Sequence, residues 1–273
     1  MIKIPEAKLN DGRMIPRLGM GTWKIPDGDA PGIVADGISA GYRLVDTASE
    51  YKNEPGVGAG LRDSGVSPGE LFVTTKVWNA HQGFERTIRA CEDSLKAMGI
   101  GYLDLYLIHW PAPSQDRYVD TWRALIELRG RGLARSIGVS NFTEAHLERI
   151  IGETGVVPAV NQIELNPQLP QRRMRAYHEA HGIVTESWSP LARGQMLGNP
   201  GIVELARRYS KKPSQIILRW HIESGLVVIP KSTSPARLRE NMEIFDFSLD
   251  AEAMAVIASL DEGRRLGPDP DKF

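Results

Sequence analysis

Four residues of this chain could share one piece of proton chemistry: Asp46, Tyr51, Lys76 and His109. An ammonium at about 4 Å from a phenol, with an effective dielectric near 20, stabilises the phenolate by roughly 4 kcal/mol. On that arithmetic the Tyr51 hydroxyl titrates well below the usual phenol range and can serve as a general acid near neutrality. Asp46 is the natural partner of Lys76, because a buried lysine is costly unless paired. His109 can hydrogen-bond the same substrate oxygen. Such a set suits protonating a carbonyl oxygen while something else attacks its carbon. Taken singly, each residue also has a structural reading. Asp46 could be a helix N-cap, Lys76 a solvated cation, His109 beside Trp110 and Pro111 a structural histidine, and Tyr51 a surface residue. Their joint placement decides between the readings.

That placement depends on the elements. Short β-like runs end near Met20, Val45, Thr75, Ile108, Val139, Gln162, Glu186 and Ile229, and helical stretches lie between most of them. Over residues 83–98, Ile88, Cys91, Leu95 and Met98 fall at steps of three and four and make one apolar face. Helical spacing also marks 119–128, and Pro213 opens another helix over 214–223. The runs 103–108 and 226–229 are nearly continuous apolar stretches, which suits strands covered on both faces. The pattern predicts an α/β fold, a (β/α)8 TIM barrel, as a single domain over residues 1–273. Asp11-Gly12 predicts an N-terminal β-hairpin. Residues 200–209 and 251–260 predict extra helices near the C-terminus, and 263–273 reads as a loop. An open doubly wound sheet is the other topology. It calls for Gly-x-Gly-x-x-Gly after an early strand, whereas Gly56-Val-Gly58-Ala-Gly60 has the wrong spacing and sits inside a helical stretch.

In such a barrel, function gathers at the carboxyl ends of the strands. Reading those ends in order gives Asp46 with Tyr51 beyond it, Lys76, His109, Ser140-Asn141, Asn161-Gln162, Ser187-Trp188-Ser189 and Lys231-Ser232. Trp23, Trp78, Trp110 and Trp188 each sit just past a strand end and predict a largely apolar pocket, while Trp122 and Trp220 lie in helical stretches and read as core. Pro235 can open a helix whose free N–H groups face an anion, with Lys231 and Arg237 adding charge.

The formal net charge of −1 gives no electrostatic case for nucleic acid or a membrane surface. Cys91 is alone and forms no internal disulfide. No signal-like N-terminus and no 18-residue apolar run is found, so the expected location is the cytoplasm. His178 and His181 could share a helix face, but no third ligand is indicated, a surface helix is expected there, and no metal is called.

The stretches Leu18-Gly-Met-Gly-Thr-Trp23, Gly41-Tyr-Arg-Leu-Val-Asp-Thr-Ala48, Leu103-Asp-Leu-Tyr-Leu-Ile-His-Trp-Pro111, Ser136-Ile-Gly-Val-Ser-Asn-Phe142, Val160-Asn-Gln-Ile-Glu164 and Ile229-Pro-Lys-Ser232 through Asn241 resemble the aldo-keto reductases over nearly the whole chain. The short loops are most similar to the bacterial branch that includes 2,5-diketo-D-gluconate reductases. The resemblance implies an NADPH-dependent reductase of aldehydes and ketones, with NADH a weaker cofactor. It implies Tyr51 as the acid, tuned by Lys76 and Asp46, and His109 as the group orienting the carbonyl. Ser140, Asn141 and Gln162 would hold the nicotinamide carboxamide, and Trp188 would stack on its ring. Gly21, Thr22, Trp23, Asp46, Ser189 and Leu191 would meet the cofactor, Ser189 and Leu191 at the pyrophosphate. Lys231, Ser232 and Arg237 would take the 2′-phosphate, Glu240 and Asn241 the adenine, and Thr233 would also meet the cofactor. Trp23, Tyr51, Trp78, His109 and Trp110 would surround a small carbonyl substrate. The implied partner list holds no nucleic acid and no membrane, and the implied state is a monomer. Segments 192–199 and 111–116 are short, so an open pocket without a large covering loop is expected. Two other readings remain at this point: a nucleotide-binding sensor or partner subunit with little turnover, and a hydrolase using Asp46 with Glu50.

Overall fold

The computed structural model describes residues 4–273. A hairpin of β1 (Glu6–Lys8) and β2 (Met14–Pro16) precedes eight parallel strands. These are β3 (Gly19–Gly21), β4 (Leu44–Asp46), β5 (Phe72–Val77), β6 (Leu103–Ile108), β7 (Ala134–Ser140), β8 (Val160–Glu164), β9 (Val184–Trp188) and β10 (Val227–Val228). They follow one another in sequence order, and parallel bridges from Leu18 to Val228 and from Gly21 to Lys231 join the last to the first. The barrel is therefore closed, and the open doubly wound sheet is excluded.

Among the described residues ten α-helices accompany the strands: α1 (Ala30–Ala40), α2 (Glu54–Asp63), α3 (Phe84–Met98), α4 (Tyr118–Gly130), α5 (Glu144–Thr154), α6 (Arg172–Ala180), α7 (Pro200–Arg208), α8 (Pro213–Glu223), α9 (Pro235–Met242) and α10 (Ala251–Ala258). Helices α7 and α10 are the two expected beyond the eightfold pattern. The three glycines at 56, 58 and 60 do belong to α2, and their use there is close packing. A Cβ on Gly56 would lie 2.2 Å from the Asp27 carbonyl oxygen, and one on Gly58 2.0 Å from that of Met98.

The strands alternate strictly, as a barrel requires. Leu44, Phe72, Leu105, Leu107, Val160 and Val227 form an apolar floor inside, closed from below by Ala7, Leu9 and Ile15 of the hairpin segment. The residues between them, such as Val45, Val73, Tyr106 and Ile108, pack outward with the helices. Two residues further along the inward rows the chemistry changes: Leu44 gives way to Asp46, Leu107 to His109, Val160 to Gln162. This alternation corrects the strand-end reading at three places. Lys76 stands inside β5 rather than after it, and β8 and β9 each run two residues past the ends expected at Gln162 and Glu186.

The surface helix expected at His178 and His181 is present as α6, with His181 exposed at its C-terminal cap, but His178 itself turns inward. His178 is fully buried. Its Nε2 accepts from Asn161 Nδ2 at 2.9 Å, and its Nδ1 lies 2.8 Å from Thr185 Oγ1. Among the described residues no group of three or more His, Cys, Asp or Glu side chains could hold a metal. Burial lowers His178 and His221 to about 4. As pH falls below about 6.5 the unfolded chain protonates these two imidazoles while the folded chain does not, so stability is lost between about 6.5 and 4. The denaturation midpoint is expected to drop across that window, and less steeply in a His178→Asn variant; parallel curves for the two proteins would show that His178 has no part in the drop.

Candidate active site

The carboxyl ends of β3 to β9 open onto one cleft of about 470 Å³, lined by Asp46, Tyr51, His109, Ser140, Asn141 and Gln162 with Trp23, Trp78, Trp110 and Trp188. At its floor lies Lys76, with no exposed surface. Its Nζ donates to Asp46 Oδ1 at 2.6 Å and to the Thr47 carbonyl at 2.8 Å. Burial opposes the charged amine, but Asp46 and Tyr51 outweigh it, and the Lys76 pKa is raised. Asp46 Oδ2 accepts from Gln162 Nε2 at 2.8 Å. Both carboxylate oxygens are thus engaged, and Glu50 is exposed. Glu50 lines the same cleft, but with both Asp46 oxygens already accepting from Lys76 and Gln162 the floor favours an anchored ammonium over a water-activating carboxylate pair.

Tyr51 sits on a 3-10 turn (Ser49–Tyr51), with Lys76 Nζ 5.3 Å from the centre of its ring. The expected fall in its pKa is overturned. Burial raises it, Lys76 lowers it by less, and Asp46 raises it again, so the phenol lies above its ordinary range. The ammonium alone would lower the phenol; in the structure that ammonium is already paired with Asp46, and the half-buried phenol loses part of its water at the cleft wall. Tyr51 therefore holds its proton at neutral pH, which is the form a proton donor needs.

The His109 ring packs edge-on against Tyr51 and Trp78, with centroids 5.7 and 5.1 Å away. Burial and then the Lys76 charge push His109 well below the usual imidazole range, so it is neutral. Its Nδ1 is buried without a partner. Orphaned buried N–H groups are rarer than orphaned acceptors. The ring proton is thus assigned to Nε2, where it can donate toward the cleft.

A second layer of amides and hydroxyls joins β7, β8 and β9. Ser140 Oγ donates to the Gln162 carbonyl at 2.8 Å, and Asn141 Nδ2 donates to the His109 carbonyl and to Ser140 Oγ, both at 3.0 Å. Trp188 Nε1 donates to Asn141 Oδ1 at 2.8 Å, which fixes the indole as a flat wall. Gln162 Nε2 also donates to Glu186 Oε2 at 2.9 Å. Asn141 and Ser189 hold left-handed backbones at φ 64° and 50°, which turn the chain at the cleft rim. Amide-recognising groups beside a flat indole suit a planar ring carrying a carboxamide, so the residues fit a nicotinamide.

The remaining candidates are spread more widely. Gly21, Ser189 and Lys231 line the same cleft. Thr22 is fully buried, and its hydroxyl donates to the Asp46 carbonyl at 3.0 Å. Leu191 packs against the outer core. Thr233 and Arg237 are exposed near the start of α9, whose cap Ser234 accepts from the Arg237 N–H at 3.5 Å. Ser232 is buried and bonded to Ser234. Glu240 accepts from the Ser214 hydroxyl at 3.2 Å, and Asn241 is buried.

The structure also adds residues. Lys24, Pro190, Arg193, Ile229, Pro268 and Phe273 line the cleft. The tail is coil, as expected, but it is built into the rim. Leu266 and Gly267 donate backbone N–H to the Glu164 carboxylate at 2.7 and 2.9 Å, and the Phe273 ring lies 4.7 Å from Trp110 and 6.1 Å from Trp78. Across the cleft, Arg193 lies 5.6 Å from the Trp23 ring. The pocket is thus less open than the short loops implied. The signal for Phe273 is long-range and absent from local pattern; that for Glu186 was available as an acid at inward register in an otherwise enclosed strand.

Comparison with known proteins finds one family over most of the chain. The sequence profile of the Aldo/keto reductase family matches residues 17–262. An aldo-keto reductase of Mycolicibacterium smegmatis is 49% identical over 98% of both chains, and methylglyoxal reductase DkgA of Escherichia coli (strain K12) is 49% identical over 97% of both. Among solved structures, a mutant of Gox0644 in complex with NADPH superposes with a TM-score of 0.96 at 47% identity, covering 100% of this chain and 99% of that one. An aldo/keto reductase from Brucella melitensis gives a TM-score of 0.92 at 50% identity, covering 95% and 100%.

Proposed function

This chain belongs to the aldo/keto reductase family, and from that premise we propose the following division of labour in its NADPH-dependent reduction of aldehydes and ketones. NADPH, when bound, supplies a hydride to the carbonyl carbon. Tyr51 donates its phenolic proton to the carbonyl oxygen. Lys76 stabilises the phenolate left behind, and Asp46 keeps Lys76 charged and in place. Neutral His109 donates Nε2–H to the same oxygen and sets the carbonyl's angle. Ser140, Asn141 and Gln162 would hold the carboxamide, and Trp188 would lie against the nicotinamide ring. The observation that carries this reading is the convergence of Asp46, Tyr51 and His109, over Lys76, on one cleft.

The substrate we assign is a small α-dicarbonyl of the methylglyoxal kind. Relatives named for that reduction align over nearly the full length, and the aromatic rim of Trp78, Trp110 and Phe273 narrows the mouth. Initial rates with α-dicarbonyls, keto-sugars, aromatic aldehydes and aliphatic ketones test this. The α-dicarbonyls are expected to give the highest kcat/KM; a tenfold preference for bulky aromatic aldehydes would remove the assignment. Tight NADPH binding without carbonyl-dependent consumption would instead favour a sensor. On the same reading the enzyme is a one-domain monomer of the cytoplasm, and a dimer mass by sedimentation would count against the monomer.

Arg237 is assigned to the 2′-phosphate. A charged hydrogen bond contributes about 1.5–3 kcal/mol, so Arg237→Ala is expected to raise KM for NADPH roughly tenfold or more. KM for NADH, which lacks that phosphate, should hardly move; equal changes for both cofactors would take Arg237 out of the phosphate site.

A further inference from the structure

The floor of the cleft holds two buried carboxyls and one ammonium. Asp46 takes the ammonium directly, at 2.6 Å from Lys76 Nζ. Glu186 is fully buried on β9, with Gln162 on β8 directly beside it in register and Val227 on β10 on its other side. Its Oε2 accepts from Gln162 Nε2 at 2.9 Å, and its Oε1 has no partner. An ionised carboxylate with an unpartnered buried oxygen is expensive, and a neutral carboxyl much less so. With both sites ionised, one cation would face two anions; with Glu186 neutral, the charges at the floor balance.

The amide of Gln162 is fixed by the same arrangement. Its two N–H bonds point to two carboxyls, Asp46 Oδ2 and Glu186 Oε2. Turning the amide over would set its oxygen against the Asp46 carboxylate. We propose that Glu186 is a positioning residue, a neutral acid that clamps Gln162 with its amide oxygen toward the nicotinamide carboxamide and keeps a second negative charge away from Tyr51. The inference rests on the reading of Gln162 as a carboxamide ligand.

The groups acting on Glu186 are consistent with this. Burial first, and then Asp46, raise it to about 8, against smaller opposing effects from Gln162 and Lys76. The sign follows: below about 8 Glu186 is neutral, and above it the added charge opposes phenolate formation at Tyr51, which also feels Glu186.

Two measurements test the proposal. Infrared titration of the cofactor-free protein should show a protonated-carboxyl stretch near neutral pH that fades as pH rises through about 8 and is missing in Glu186→Gln. Its absence from the wild-type protein, or its persistence in the variant, would overturn the neutral acid. The second is NADP+ affinity by quenching of tryptophan fluorescence. Loss of the clamp in Glu186→Leu should weaken binding about tenfold, and Glu186→Gln, which retains an acceptor for Gln162, should recover most of that loss. Gln162→Leu separates the two readings. If Gln162→Leu weakens binding and Glu186→Leu does not, the clamp is wrong and the carboxamide site stands. If Gln162→Leu has no effect, the carboxamide assignment falls and the clamp with it.

Discussion

Replacing Tyr51 by phenylalanine is expected to lower kcat for carbonyl reduction by about 10²–10⁴-fold, the range supplied by a positioned general acid. Only one oxygen is lost, and the ring keeps its edge-on contact with His109. The Kd for NADPH should therefore stay within about twofold, because none of the assigned carboxamide or phosphate contacts passes through the hydroxyl. The split between turnover and binding carries the argument. A Tyr51→Phe enzyme with wild-type kcat would remove the proposed acid, and proton delivery would then have to come from His109. The pH profile adds a second reading. Tyr51 lies above the ordinary phenol range, mainly through burial, so reduction should show no loss of the acid form as pH rises from 6 to 9 on its account. Alcohol oxidation, which needs the phenolate, should rise with pH over the same interval.

The second large effect is expected at Lys76. Lys76→Met fills similar space with an apolar side chain but leaves the Asp46 carboxylate buried opposite no cation. Breaking one partner out of a buried pair costs about 3–5 kcal/mol. The protein should lose that stability at neutral pH. Turnover should fall as well, since the phenolate formed at Tyr51 would meet the Asp46 charge with no ammonium between. Urea denaturation and single-turnover rates measure the two consequences separately. A variant as stable as the wild-type protein would show that the pair at 2.6 Å carries little of the core's electrostatics.

Most of the barrel was legible because its signals are local. Apolar runs separated by helices of regular spacing give the eight strands, and the Asp11-Gly12 turn gives the hairpin. Boundaries were less legible where polar residues continue a strand. Lys76 looks like a loop residue and Gln162 like a strand end in a string of letters, but at inward register they cap rows that begin at Phe72 and Val160. The direction of the Tyr51 shift is not legible in a sequence, which shows which charges exist and not how far each is already neutralised. Glu186 is hidden for a related reason: in the letters it ends a β-like run, and only its parity with Trp188 on β9 turns it inward. The Phe273 contact could not be foreseen at all, since it depends on Glu164 gathering two backbone N–H groups from a tail more than one hundred residues away.

The most direct test of the account is the fate of one hydrogen. The enzyme would be incubated with methylglyoxal and NADPH deuterated at the transferring position of the nicotinamide, and the alcohol analysed by mass spectrometry. The account predicts one deuterium on the new carbinol carbon for each NADPH consumed, with the hydroxyl hydrogen drawn from solvent through Tyr51. An unlabelled alcohol, or NADPH loss that does not depend on the carbonyl, would contradict it.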